Sequence, residues 1–290
     1  MIVNPRRSRL MELAKNLKKS AVAGSVMLAG MLCASMPMAA QAQGRISPTS
    51  HSEVRLIAAD APKGAAAVGV RIKLSPGWKT YWRTPGDSGV PPSFDWSQSK
   101  NLASAEVRWP APTRFTDRNE MIFGYKDEVI FPVVVTPIQA GEPVKLVLSL
   151  FFAVCHDMCV PVHAQVTAEL SGQSDPIDAG EIARFESMVP RPTVSGLAVR
   201  SIELDDQADE PSITVVLDSS DANGDIDIFT ESPVGDVNFG APRLAAIDGG
   251  VRSYKIPIDK GYKKLALSGT NLSLTIVQGK RALVHNAKLD

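Results

Sequence analysis

Cysteine is scarce in this chain. Of 290 residues only three are cysteine, and Cys33 falls in an N-terminal stretch that reads as a leader. A multi-bridge disulfide scaffold is therefore excluded, since it needs four or more cysteines. Charge of one sign is lacking too. Lysine plus arginine and aspartate plus glutamate each number 31, and the basic residues are scattered, so there is no electrostatic footprint for nucleic acid or an anionic membrane surface. After the leader no apolar run approaches the roughly 20 residues that cross a bilayer, which excludes a membrane span in the mature chain.

The leader itself has a clear form. Arg6, Arg7, Arg9, Lys15, Lys18 and Lys19 precede an apolar run over residues 21–34, and Ala40-Gln41-Ala42 is a small-x-small cleavage motif. Residues 1–42 are expected to be a signal peptide cleaved after Ala42, which places the mature protein in the periplasm.

What remains is written mostly in period-two alternation. Val144, Leu146, Leu148, Leu150, Phe152 and Val154 give one strand an apolar face, and Val160, Val162, Ala164, Val166, Ala168 and Leu170 give the next one the same. Further strands are expected over 53–59, 66–74, 105–109 and 129–136, separated by Pro and Gly clusters. Alternation stops at about Ser171. A short helix is expected over 178–188 with Asp178 and Glu181 as its capping box, followed by a stiff linker at Val189-Pro190-Arg191-Pro192. Alternation resumes over 197–204, 212–217, 226–230, 253–258, 264–267 and 272–277, with a hairpin turn at Gln278-Gly279-Lys280. The acidic run Asp205, Asp206, Asp209 and Glu210 reads as a solvated loop. The expected architecture is all-β: a first β-sandwich over 43–172, a linker over 173–196, and a second sandwich over 197–290 with a structural or partner-binding role.

The remaining two cysteines, Cys155 and Cys159, join the two longest alternating strands. On one continuous strand residues four apart are about 13 Å apart, beyond the reach of a disulfide. If His156-Asp157-Met158 form a tight turn, the sulfurs meet as a cross-strand pair with Cα atoms about 4.5–5.5 Å apart. A five-residue ring stabilises by only about 2 kcal/mol in the loop-entropy account, against nearly 5 for a hundred-residue loop. This is a poor place for an inert staple and a good one for thiol exchange. His156 and His163 are two of only four histidines, and an imidazolium near the sulfurs would favour a thiolate, while Asp157 would oppose it. The other two, His51 and His285, carry no visible motif. The spacing does not order the sulfurs, and Cys155 is taken as the substrate-facing one.

Two other readings use the same residues. Cys155, Met158, Cys159 and His163 are a soft-ligand set suited to Cu(I), as in a copper-tolerance accessory protein. A non-catalytic binding module with a structural disulfide is the other.

The segment from about Arg71 to Leu170 resembles the N-terminal periplasmic domain of DsbD-type protein-disulfide reductases, particularly the ScsB branch. Gly77-Trp78-Lys79-Thr80-Tyr81-Trp82-Arg83 is similar to that family's aromatic-rich turn. Phe123-Gly124-Tyr125-Lys126 with Val129-Ile130-Phe131-Pro132-Val133 is similar to its cap-loop and strand segment, and Val154-Cys155 to Pro161 to its active-site hairpin. The stretch 274–282 is similar to the region following this domain in ScsB-like proteins. The resemblance implies immunoglobulin-like sandwiches and a redox-active Cys155/Cys159 pair that needs no cofactor. It also implies that Trp78 and Tyr81 lie beside the site, with residues 120–124 as a cap loop in which Ile122 or Phe123 shields the sulfurs; Phe123 and Tyr125 of that segment, and the neighbouring His156 and His163, complete the expected lining. The implied partners are thioredoxin-like periplasmic proteins and, because this chain stops at Asp290, a separate membrane thiol-reductant transporter.

Overall fold

The computed structural model describes residues 47–48, 51–59, 66–117, 120–170, 175–205, 210–221, 223–233, 237–259 and 267–289. The expected signal peptide, Cys33, Asp206 and Asp209 of the acidic run and most of the 264–267 strand lie outside the described residues. In the first half the strands are β1 (Ser47–Pro48), β2 (Ser52–Ala59), β3 (Ala66–Leu74), β4 (Lys79–Gly86), β5 (Ser93–Asp95) and β6 (Leu102–Val107). They continue with β7 (Thr113–Asp117), β8 (Glu120–Lys126), β9 (Glu128–Pro137), β10 (Val144–Cys155) and β11 (Cys159–Leu170). Helix α1 (Pro176–Glu186) follows. The second half holds β12 (Leu197–Asp205), β13 (Ser212–Ser219), β14 (Ile226–Glu231), β15 (Asn238–Phe239), β16 (Arg243–Asp248), β17 (Val251–Asp259), β18 (Asn271–Gln278) and β19 (Arg281–Lys288).

The chain is all-β with immunoglobulin-like sandwich architecture. One sheet of the first sandwich has the order β1-β2-β3-β9-β6; the other runs β11-β10-β4-β8-β7, with β5 also on β10. Leu146, Leu148, Leu150, Phe152 and Val154 of β10 turn inward with Val162, Ala164 and Val166 of β11. They meet Leu56, Val70, Ile72, Phe131 and Val133 of the facing sheet. Each such large side chain contributes about 1.5–3 kcal/mol on burial, so a continuous inner face on two twelve-residue strands fixes their register firmly.

The second half has a sheet ordered β12-β13-β17-β15, with β16 on β17, and a three-stranded sheet β14-β18-β19. Ile226 and Ile228 of β14 pack into this half's own core with Leu274 and Ile276 of β18, whereas Phe229 belongs to the core of the first sandwich. The β14 sheet is thus a layer covered on both faces.

Several expectations change. The segment around Lys79 to Trp82 is strand β4 rather than a turn, because buried aromatics occupy both faces and hide the alternation. Residues 120–124 are part of strand β8, laddered to β7 and β4, and not a loop. The helix starts at Pro176, not Asp178: Asp175 is the N-cap and its carboxylate accepts from the Ile177 N–H at 2.8 Å. Asp178 is instead buried against Arg55 at 2.9 Å, while Glu181 pairs with Arg184. Ile182 and Phe185 seal α1 onto the first core. The Pro-rich segment is strapped to β19 through Arg191, whose N–H donates to Ala282 O and whose carbonyl accepts from the Val284 N–H.

Candidate functional site

The site begins with a register. β10 and β11 pair without a break from Val144 opposite Leu170 to Cys155 opposite Cys159, leaving His156, Asp157 and Met158 as the turn. The His156 N–H donates to Met158 O at 3.2 Å and closes it. Pro161, opposite Ala153, has no N–H to donate, and it shares the parity of Cys159. Both therefore sit at the non-hydrogen-bonded positions, where facing Cα atoms approach most closely. The two cysteines form a disulfide with a Cα separation of 4.2 Å. Cys155 is buried against the sheet, and Cys159 is exposed.

β4 continues the sheet beside β10, with Thr80 opposite Val154 and Lys79 opposite Cys155. The Thr80 hydroxyl donates to Ala153 O at 2.8 Å and ties the strands at this point. One residue on, the fully buried Tyr81 turns to the outer face, and its hydroxyl lies 2.7 Å from Cys155 Sγ and 3.0 Å from Cys159 Sγ. Gly89, at φ +126°, makes room for it, since a Cβ there would strike the Tyr81 ring. Ile122 and Phe115, opposite each other on β8 and β7, complete an apolar cluster around Tyr81, Ala153 and Cys155.

Two lysines stand in the same cross-strand row as Cys155. Lys79 is buried in the row of Cys155, and Lys126 stands opposite Lys79, its ammonium 4.5 Å from the Phe115 ring. Positive charge near a sulfur favours its thiolate. At the tip of the hairpin the His51 ring stacks on Trp78 at 3.8 Å and 9°, and Trp78 meets the His156 ring at 5.9 Å. His156 Nδ1 lies 2.9 Å from the Asp157 carboxylate. The Ser75 N–H, donating to His51 O at 3.0 Å, brings His51 here.

Of the residues singled out from the sequence, the fold brings Cys155, Cys159, Tyr81, Trp78 and His156 together. Phe123 and Tyr125 are not beside the sulfurs. Alternation on β8 turns them to the core face, where Phe123 meets Phe229 edge-on at 5.0 Å and the Tyr125 hydroxyl donates to Pro110 O at 2.8 Å. Burial pushes the Tyr125 phenol well above its ordinary value. Ile122, not Phe123, is the member of this pair that packs in the cluster with Cys155. His163 lies four positions along β11 from Cys159, opposite Phe151, with ring centroids 4.5 Å apart. That separation, about 13 Å on an extended strand, keeps His163 out of any shared coordination sphere with Cys159. Met158 is exposed on the turn. Among the described residues no three His, Cys, Asp or Glu side chains are gathered to hold a metal. Of the two sulfurs it is Cys159, and not the expected Cys155, that belongs to an exposed residue.

His51, Lys79, Lys126 and Phe115 were not singled out from the sequence as site residues. His51 and Phe115 reach the site through long-range pairing that leaves no local motif. The two lysines become visible only once β4 is aligned on β10.

Residues 49–171 match the family model described as thiol:disulfide interchange protein DsbD, N-terminal, and residues 188–290 match a domain of unknown function (DUF8393). No curated protein matches the chain at a significant level. Among solved structures, the N-terminal periplasmic domain of ScsB from Proteus mirabilis is similar at 22% identity and a TM-score of 0.69, covering 86% of this chain and 98% of that one. The likeness in fold extends over both sandwiches. The resemblance read from the cysteine hairpin and its aromatic neighbours is borne out. Among the described residues no helix is long and apolar enough to cross a membrane.

Proposed function

We propose that the protein is a periplasmic thiol–disulfide exchange module that passes electrons from a membrane-bound dithiol reductant to thioredoxin-like partners through Cys155 and Cys159. The observation that carries this reading is the asymmetry of the pair: one sulfur is reachable at the end of a hairpin, its mate is buried, and a single tyrosine hydroxyl lies within hydrogen-bonding distance of both. The match of residues 49–171 to the DsbD N-terminal family supports it.

The exposed Cys159 acts first. In the reduced protein its thiolate attacks one sulfur of the partner's disulfide. A Cys159–partner bond forms as the partner's own S–S bond breaks, and the departing partner sulfur takes up a proton. The Cys155 thiolate then attacks Cys159 Sγ, closing the intramolecular disulfide and expelling the second partner thiol. Two electrons and two protons have moved to the partner. A dithiol of the membrane reductant resets the pair by the same steps in reverse. Tyr81 serves as donor to whichever sulfur is anionic, and Lys79 and Lys126 add favourable charge. The reading needs no metal.

Trapping tests it. Cys155→Ala removes the resolving thiol and is expected to accumulate a mixed disulfide with a thioredoxin-like protein in periplasmic extract, whereas Cys159→Ala captures none. Capture by neither variant, with the native pair staying oxidised under a physiological dithiol, contradicts the reading and leaves a structural bond.

A further inference from the structure

The strands that carry the shielding residues have a second face. On β4, β8 and β7 the site-facing Tyr81, Ile122 and Phe115 alternate with Trp82, Phe123 and Arg114. All three of the latter touch β14. Three alternate residues of β14 meet these strands in order, Asp227 and Phe229 on those three side chains and Glu231 on the neighbouring Arg83 and Thr84. Asp227 accepts from Arg114 Nε at 3.0 Å and Nη2 at 2.9 Å. Phe229 packs edge-on to Trp82 at 5.8 Å and Phe123 at 5.0 Å. Glu231 accepts from Arg83 Nε at 2.9 Å and Nη2 at 2.7 Å, and from Thr84 Oγ1 at 2.7 Å. The Arg114 guanidinium lies over both rings, 4.6 Å from Phe123 and 4.9 Å from Phe229, and donates to Ile228 O at 2.8 Å. Phe229 is buried in the first sandwich's core, and β14 is anchored from behind by Ile226 and Ile228.

We propose that the second sandwich is a backing plate for the redox pair, its β14 residues Asp227, Phe229 and Glu231 acting as positioning residues that hold Tyr81 and Ile122 over the sulfurs. The inference deepens the exchange reading and rests on it. A side chain in a strand has its direction set by the pleat, so a contact that fixes Trp82 and Phe123 on one face fixes Tyr81 and Ile122 on the other. A chain of packed side chains and bidentate ion pairs transmits such a constraint because close-packed interiors yield little.

The test uses the full chain and needs no partner. Two readouts are followed: the rate at which glutathione opens the disulfide, and the pH midpoint for iodoacetamide alkylation of the reduced protein. Phe229→Ala is expected to speed opening by about tenfold, as expected for a loosened site, and to move the alkylation midpoint up toward that of an ordinary cysteine. Phe229→Leu restores most of both. Arg114→Lys, which loses the bidentate pair without emptying the core, is expected to move both in the same direction, the opening rate by about threefold. Leu217→Ala, in the far core of the second sandwich, is the control: it lowers the melting temperature and leaves both readouts unchanged. The proposal is overturned if Phe229→Ala and Arg114→Lys behave as Leu217→Ala does, or if Leu217→Ala shifts the readouts equally. Both readouts report on the chain alone, so failure to capture a partner sinks the exchange reading without touching them.

Discussion

Tyr81 is the side chain on which both sulfurs converge, and under the proposed exchange its hydroxyl would donate to the sulfur that is anionic in the reduced pair. A hydrogen bond to a charged group contributes about 1.5–3 kcal/mol, and 1.36 kcal/mol is one pKa unit. Tyr81→Phe is therefore expected to raise the thiolate midpoint by about one to two units in a pH series of alkylation rates; an unchanged midpoint would remove Tyr81 from the chemistry. Tyr125, two positions past Phe123 on the core face, makes a different prediction. Burial holds its phenol protonated well above the ordinary value of about 10. The unfolded phenol ionises first, so the stability it contributes is complete below about pH 10 and falls above it by up to about 1.4 kcal/mol per pH unit. Tyr125→Phe is expected to cost about 1 kcal/mol at neutral pH, by leaving Pro110 O without its donor, and to flatten that alkaline loss. Urea midpoints at pH 7 and pH 11 check both parts.

Among the elements, α1 shows how the interval between the sandwiches is held. It lies over Gly69 of β3, where a Cβ would come 2.7 Å from Ile130 Cγ2, 2.8 Å from Ile57 Cγ1 and 2.9 Å from Ile182 Cγ1. Gly69→Ala is expected to destabilise by about 1–3 kcal/mol in chemical denaturation, with exchange kinetics unchanged because the disulfide is on the other sheet. Asp178 on the same helix has its carboxyl raised by burial, which outweighs the opposing pull of Arg55. A raised acid loses stability as pH climbs through its folded value, so Asp178→Asn, which cannot ionise, should be flatter from pH 4 to pH 8 in melting temperature and within about 1 kcal/mol of the parent at neutrality. The cysteine hairpin was legible in sequence because β10 and β11 are long, buried on one face, and alternate cleanly. β4 and β8 were not, since Tyr81 with Trp82 and Ile122 with Phe123 are buried on both faces and leave no period. For the same reason the sequence does not choose between Ile122 and Phe123 as the neighbour of the sulfurs, a matter of parity that pairing to β7 decides. β16 leaves no alternation to read because every residue in it is exposed.

At the scale of the whole molecule, the second sandwich contributes one layer, the β14 sheet, to two cores. Nothing in the sequence announces this, because Arg114 and Asp227 are 113 residues apart and the alternating Asp227, Phe229 and Glu231 look like any half-exposed strand. Removing Glu231 is expected to weaken that junction: Glu231→Ala leaves Arg83 and Thr84 without their acceptor and should destabilise by about 1–3 kcal/mol in thermal unfolding. The account as a whole asks that the Cys155–Cys159 bond be exchangeable, and its equilibrium with a glutathione buffer measures that directly. A midpoint between about −120 and −270 mV, the span of dedicated exchange proteins, is the predicted result; a pair that stays oxidised to below about −300 mV, as structural disulfides do, would contradict it.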